Sequence, residues 1–213
     1  MLMARRVLLL SPHPDDAELG AGCAAQTFLR EGLPVEVLVF SSTENVFGRS
    51  HAEQLLAEMR ASLATLGIEE ERTTVLKFPT REFGANRQAL LDDLIKFREN
   101  FSPDLVLGPS PTDLHQDHGV VASEALRAFR GASYLGFDTY WNEFESVPNH
   151  FLEVTQEMLN LKQRALAKYQ SQAPRSYFSP ENIEAQARVR GVQSGTRFAE
   201  AFHVVRLFSR AMG

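Results

Sequence analysis

Val7-Leu8-Leu9-Leu10-Ser11-Pro12-His13-Pro14-Asp15-Asp16 is the stretch that decides the fold. Its four leading apolar residues do not alternate with polar ones, the pattern of a short strand buried on both faces. Two prolines then stiffen the chain and end the strand. From Ala17 to Glu31 the pattern turns helical, and Gly32 supplies a stop. Strand, turn and helix make the first half of a βα unit. The turn, with one imidazole and two adjacent carboxylates, lies at the C-terminal end of its strand. In open α/β sheets that edge is where ligands bind.

The same rhythm repeats outward. Pro34–Phe40 reads as a second strand and Ser41–Asn45 as a polar loop. Ala52–Leu66 reads as a helix with Gly67 as its stop signal, Val75–Phe78 as a strand and Asn86–Asn100 as a helix. Asp104–Gly108, a helix over Val120–Phe129 and the strand Tyr134–Phe137 follow. The βαβα order predicts an α/β, Rossmann-like and mostly parallel sheet, with helices on both faces and the active site at the C-terminal strand ends. The last third departs from it: Phe151–Val154 as a strand, Glu157–Tyr169 and Glu181–Val192 as helices, and an alternating strand over His203–Phe208. No repeat or low-complexity linker divides residues 1–213, so the expectation is a single domain.

Composition excludes several classes. The 213 residues are 44% hydrophobic and 23% charged, as in an ordinary globular protein. A net charge of −5 leaves no basic footprint for nucleic acid. No run of 18 apolar residues exists to span a membrane, and Val7–Leu10 is too short for a signal peptide. A single cysteine, Cys23, fits a reducing cytoplasm.

His13-Pro14-Asp15-Asp16 has a plain structural reading. Asp15 would cap the helix and Glu18, three residues on, would complete a capping box. That accounts for neither His13 nor the second carboxylate. The chemical reading gives His13 and Asp16 to a divalent metal, with Asp15 free to deprotonate a water that the ion has acidified. A second cluster, His115-Gln116-Asp117-His118, follows the Asp104–Gly108 strand. Three of the six histidines fall in these two segments. With His13 and Asp16, one of His115 or His118 completes the three-ligand, open-position arrangement of a catalytic zinc. The other histidine, oriented and held protonated by Asp117, would act on the substrate. Arg60 and Asn45 are candidate substrate contacts. Tyr140 and Trp141 are candidates for stacking on a sugar ring or for packing.

These paired motifs resemble the LmbE-like (PIG-L) zinc N-deacetylases. The resemblance extends through Glu18-Leu19-Gly20-Ala21-Gly22, Glu58-Met59-Arg60-Ala61 and Leu66-Gly67, and on to Lys162, Ser171-Gln172 and Ala199-Glu200-Ala201-Phe202. It implies metal ligands His13, Asp16 and His118, Asp15 as general base, and His115 as the acid or oxyanion-stabilising group. It also implies a small-molecule substrate, an N-acetylglucosamine-type conjugate, and Zn2+ as cofactor, with Fe2+ accepting the same donors. A homo-oligomer is compatible with it. Pro12, Cys23 and the loop Ser42–Gly48 depart from the family pattern without touching the metal residues. The rival readings are a catalytically silent metal- or sugar-binding module and a metal-dependent phosphoesterase.

Overall fold

The computed structural model describes residues 4–144 and 147–209. Seven strands form one sheet: β1 (Val7–Ser11), β2 (Val35–Val39), β3 (Thr73–Val75), β4 (Leu105–Gly108), β5 (Ser133–Phe137), β6 (His150–Glu153) and β7 (Ala199–Arg206). Seven α-helices accompany them: α1 (Asp16–Arg30), α2 (Glu44–Phe47), α3 (Arg49–Leu66), α4 (Arg87–Phe101), α5 (Gln116–Ala128), α6 (Gln156–Leu166) and α7 (Pro180–Ser194).

The strand order is β3-β2-β1-β4-β5-β7-β6. The first five strands in this order pair in parallel. β7 runs antiparallel to β5, and β6 antiparallel to β7. After β1 the chain builds outward through β2 and β3, then crosses back to lay β4 on the other flank of β1. The crevice between the C-terminal ends of β1 and β4 is therefore a topological switch point. Leu9 pairs with Leu107, so loops far apart in sequence leave the sheet side by side.

The uninterrupted apolar run of β1 is explained by two cores. Val7 and Leu9 join one with Val37, Leu107 and the inner faces of α1, α3, α6 and α7. Leu8 and Leu10 join the other with Val106 and the inner faces of α4 and α5. All four are essentially inaccessible, and each such side chain contributes roughly 1.5–3 kcal/mol by leaving water.

Several boundaries differ from the sequence reading: α3 begins at Arg49, α6 ends at Leu166, and β7 runs from Ala199 to Arg206 where the sequence predicts His203–Phe208. β3 ends at Val75, although Leu76 and Phe78 still donate backbone bonds to Val39 and Phe40 at 2.7 and 2.9 Å. The polar loop after β2 contains the short helix α2. Most consequentially, α5 begins at Gln116 and not at Val120, so the second histidine cluster occupies a helical first turn. Among the described residues no helix is long and apolar enough to cross a membrane.

Candidate active site

The β1–α1 turn does not form the expected capping box. Asp15 stands at the N-cap position with φ 124°, and its side chain makes no cap bond. Asp16 Oδ2 accepts from the His13 amide at 2.8 Å, and Ser11 Oγ accepts from the Ala17 amide at 3.1 Å. Glu18 is buried and accepts from the Tyr169 hydroxyl at 2.6 Å. Other groups thus secure the turn, and the Asp15 carboxylate faces the cleft. Burial, followed by the adjacent Asp16, pushes its pKa well above the usual carboxylate range.

The β4–α5 turn is relaxed by comparison. His115 is the N-cap of α5 at φ −69°, and its Nδ1 accepts from the Asp117 amide at 3.2 Å. Asp113 Oδ1 accepts from the His115 amide at 2.8 Å. Burial, then the neighbouring His118 and His13, push the His115 pKa down to about 4.

The two turns bring three imidazoles together, with ring centroids 4.6–5.4 Å apart. One nitrogen from each of His13, His115 and His118 lies within 4.8 Å of the others. Asp16 Oδ2 sits 3.4 Å from His13 Nδ1 and 3.3 Å from His118 Nε2. Donors bound to one tetrahedral ion at about 2.0–2.1 Å stand about 3.3–3.4 Å from each other, so the donor set of His13, Asp16 and His118 fits a divalent metal. Burial works against charge here, but His118 and His13 outweigh it and hold Asp16 below the usual range. For His118, Asp16 and Asp113 outweigh burial and raise the pKa to about 10.

The far nitrogen of each of these two rings is also held. His13 Nε2 lies 3.0 Å from Asp117 Oδ2, and His118 Nδ1 lies 2.7 Å from Asp113 Oδ2. Carboxylates in this position fix ring orientation and raise ligand basicity. This corrects the role expected for Asp117. Asp117 meets His115 through its amide, and its carboxylate lies against His13. The carboxylate that orients His118 is Asp113, which also accepts from Thr139 Oγ1 at 2.9 Å. The expected imidazolium at His115 is not favoured by a ring whose pKa is depressed.

The sequence of the PIG-L family, described as GlcNAc-PI de-N-acetylase, matches residues 8–129, more than half of the chain. The chain belongs to the PIG-L family. It is 25% identical to a diacetylchitobiose deacetylase of Thermococcus kodakarensis, over 94% of this chain and 83% of that protein. The N,N'-diacetylchitobiose deacetylase structure from Pyrococcus horikoshii superposes with a TM-score of 0.79 at 20% identity, covering 95% of this chain and 84% of that one. GalB, the 4-carboxy-2-hydroxymuconate hydratase of Pseudomonas putida, shares the fold at TM-score 0.76 and 18% identity, covering 97% and 100%. The PIG-L fold therefore carries more than one named reaction, and function has to be argued from the site.

In this PIG-L chain the metal-ligand candidates line a cleft of about 170 Å³, which Asp15, Trp141, Arg175 and Tyr177 also line. Trp141 does not offer both faces to a ligand: it stacks on Tyr177 at 4.7 Å and 4°, with Tyr140 edge-on at 5.1 Å. Arg60 is elsewhere, on the exposed face of α3, paired with Glu70 at 2.8 Å. Asn45 does not line the cleft either. Its amide exchanges two hydrogen bonds with the Thr80 backbone, at 3.0 and 2.9 Å, and thereby ties α2 to the cleft-lining Thr80 and Arg81.

Backbone strain marks the same place. Among the described residues, four non-glycines have φ in the left-handed region: Asp15, Thr43, Arg81 and Ser102. The first three line the cleft. Strain of this kind costs of order 1–3 kcal/mol per residue and gathers at functional sites. Arg81 is held there by its amide, bonded to Asp117 Oδ2 at 2.7 Å, and its carbonyl, bonded to Gln116 at 2.6 Å. Arg81, Arg175 and Tyr177 carry no motif, and nothing local in the sequence points to them.

Proposed function

We propose that the protein is a metal-dependent hydrolase that removes the N-acetyl group from an N-acetylglucosamine-type sugar conjugate. The observation that carries the reading is Asp16 Oδ2 lying 3.4 Å from His13 Nδ1 and 3.3 Å from His118 Nε2, with Asp15, whose side chain makes no cap bond, in the same cleft. His13, Asp16 and His118 would hold the ion. Two imidazoles and one carboxylate suit zinc, and iron(II) accepts the same donors. Such an ion supplies Lewis acidity and lowers the pKa of water.

The remaining chemistry belongs to the chain. Asp15 takes a proton from the attacking water as a C–O bond forms at the acetyl carbon. Its raised pKa makes it a stronger base than an exposed carboxylate. His115 accepts from the Asp117 amide at Nδ1, so its neutral ring carries hydrogen on Nε2 and donates to the developing oxyanion. Preorganised donors of this kind are worth about 10²–10³ in rate. As the C–N bond breaks, the proton held by Asp15 passes to the leaving amine.

The test is a panel of N-acetylglucosamine conjugates incubated with zinc- or iron(II)-loaded protein and scored for acetate and free amine in equal amounts. Release that is lost on chelation and restored by metal is the expected result. No acetate from any member would overturn the reading in favour of a binding module.

A further inference from the structure

Helix α1 is broken. Ala21, at φ −143° and ψ 23°, is non-helical between two helical stretches. A break of this kind strands carbonyls on its N-terminal side and amides on its C-terminal side. One buried ion pair meets both. Lys162 Nζ, from α6, donates to the Leu19 carbonyl at 2.6 Å and to Glu200 Oε1 at 2.8 Å. Glu200, from β7, accepts the Cys23 amide at 3.1 Å and the Ala24 amide at 2.7 Å. The ammonium sits at the carbonyl end and the carboxylate at the amide end, matching the partial charges of the two helix termini.

The glycines on either side of the break let the chain approach its neighbours. A Cβ on Gly20 would lie 2.3 Å from the Phe137 ring, and one on Gly22 would lie 3.1 Å from the Lys162 stem. Lys162 and Glu200 are 6% and 9% exposed. Buried pairs of this kind are weak sources of stability, because desolvation offsets their attraction. Their position indicates another use. The stretch before the break carries Asp16 and follows Asp15, and its Leu19 borders the catalytic cleft and this ion pair alike.

We infer that Lys162 and Glu200 are positioning residues: by filling both sides of the α1 break, they set the angle at which the first turn presents Asp15 and Asp16 to the site. The inference rests on the reading of that turn as metal-binding and catalytic. It makes β7, the antiparallel strand remote from the motifs, part of the machinery that aims them.

Lys162→Met, Glu200→Gln, the double variant and Glu200→Asp test it, with folding followed by circular dichroism and Tm. Zinc affinity is measured by competition with a chromogenic chelator, and kcat and KM are measured on the best substrate. Displacing the first turn should weaken zinc 10- to 100-fold, the range seen when groups supporting a ligand are lost. It should also lower kcat at nearly constant KM. The double variant, with no unpaired buried charge, should regain Tm but neither zinc affinity nor kcat. Glu200→Asp, which keeps the charge but shortens the arm, should keep Tm and still lose affinity. Folded variants with native zinc affinity would overturn the inference, as would a set in which every member fails to fold. Should the native enzyme release no acetate, the zinc arm still decides this inference, while the proposed activity fails separately.

Discussion

The two turns that build the site do the same job by opposite means. In the β4–α5 turn, His115 caps its helix at an ordinary φ of −69° and remains in the cleft. In the β1–α1 turn, Asp15 takes the N-cap position at φ 124°, and its side chain makes no cap bond. On the proposed reading, one residue combines architecture with chemistry, and the other is relieved of architecture by Ser11 and Asp16. Substitutions at His115 should therefore affect both stability and rate, whereas those at Asp15 should affect rate alone.

The largest effect expected is that of Asp15→Asn. Loss of a general base costs about 10²–10⁴ in kcat. Asparagine tolerates a positive φ and no cap bond is lost, so Tm and bound zinc should stay native. A folded, metal-loaded Asp15→Asn enzyme with near-native turnover would break the comparison. Next is His115→Ala, expected to lower kcat about 10²–10³-fold. Loss of its cap bond should also remove about 1 kcal/mol of stability, a fall in Tm of about 2–4 °C for a chain of this size. An unchanged Tm would show that the His115 cap is ornamental to stability.

A smaller effect separates the carboxylates behind the rings. Asp113→Asn and Asp117→Asn should each weaken metal binding about 10- to 100-fold, read by chelator competition. Equal losses would mean that the two turns contribute alike to the site. The smallest effect is that of Arg60→Ala, which removes an exposed pair with Glu70. It should cost about 0.2–1 kcal/mol at most and leave kcat/KM within about twofold, since a side chain outside the cleft offers the transition state no binding energy. A large rise in KM would return Arg60 to the substrate site.

Much of the scaffold was legible in order. Unalternating apolar runs mark strands buried on both faces, and β1, β2, β4 and β5 fall where Val7–Leu10, Pro34–Phe40, Asp104–Gly108 and Tyr134–Phe137 predict. The start of α5 was not legible, because a histidine makes an unusual cap and the polar residues 116–119 show no apolar period. Of the residues singled out, His13, Asp15, Asp16, His115 and His118 converge on the cleft. Arg60 and Asn45 do not, since a residue's place in a helix or loop says nothing about which way the whole element faces.

By itself, the sequence determined the fold class, the two turns and the kinds of group they carry. These are local properties: periodicity of burial, proline stiffening, and the chemistry of adjacent side chains. Only the tertiary structure decided how those groups divide their work. The placement of β4 against β1 made the two turns neighbours. A hydrogen bond across 104 positions gave Asp117 to His13, and one across five positions gave Asp113 to His118. The break in α1 is held by Lys162 and Glu200, far along the chain. Pairings between distant elements depend on directions and distances that no local pattern of residues encodes.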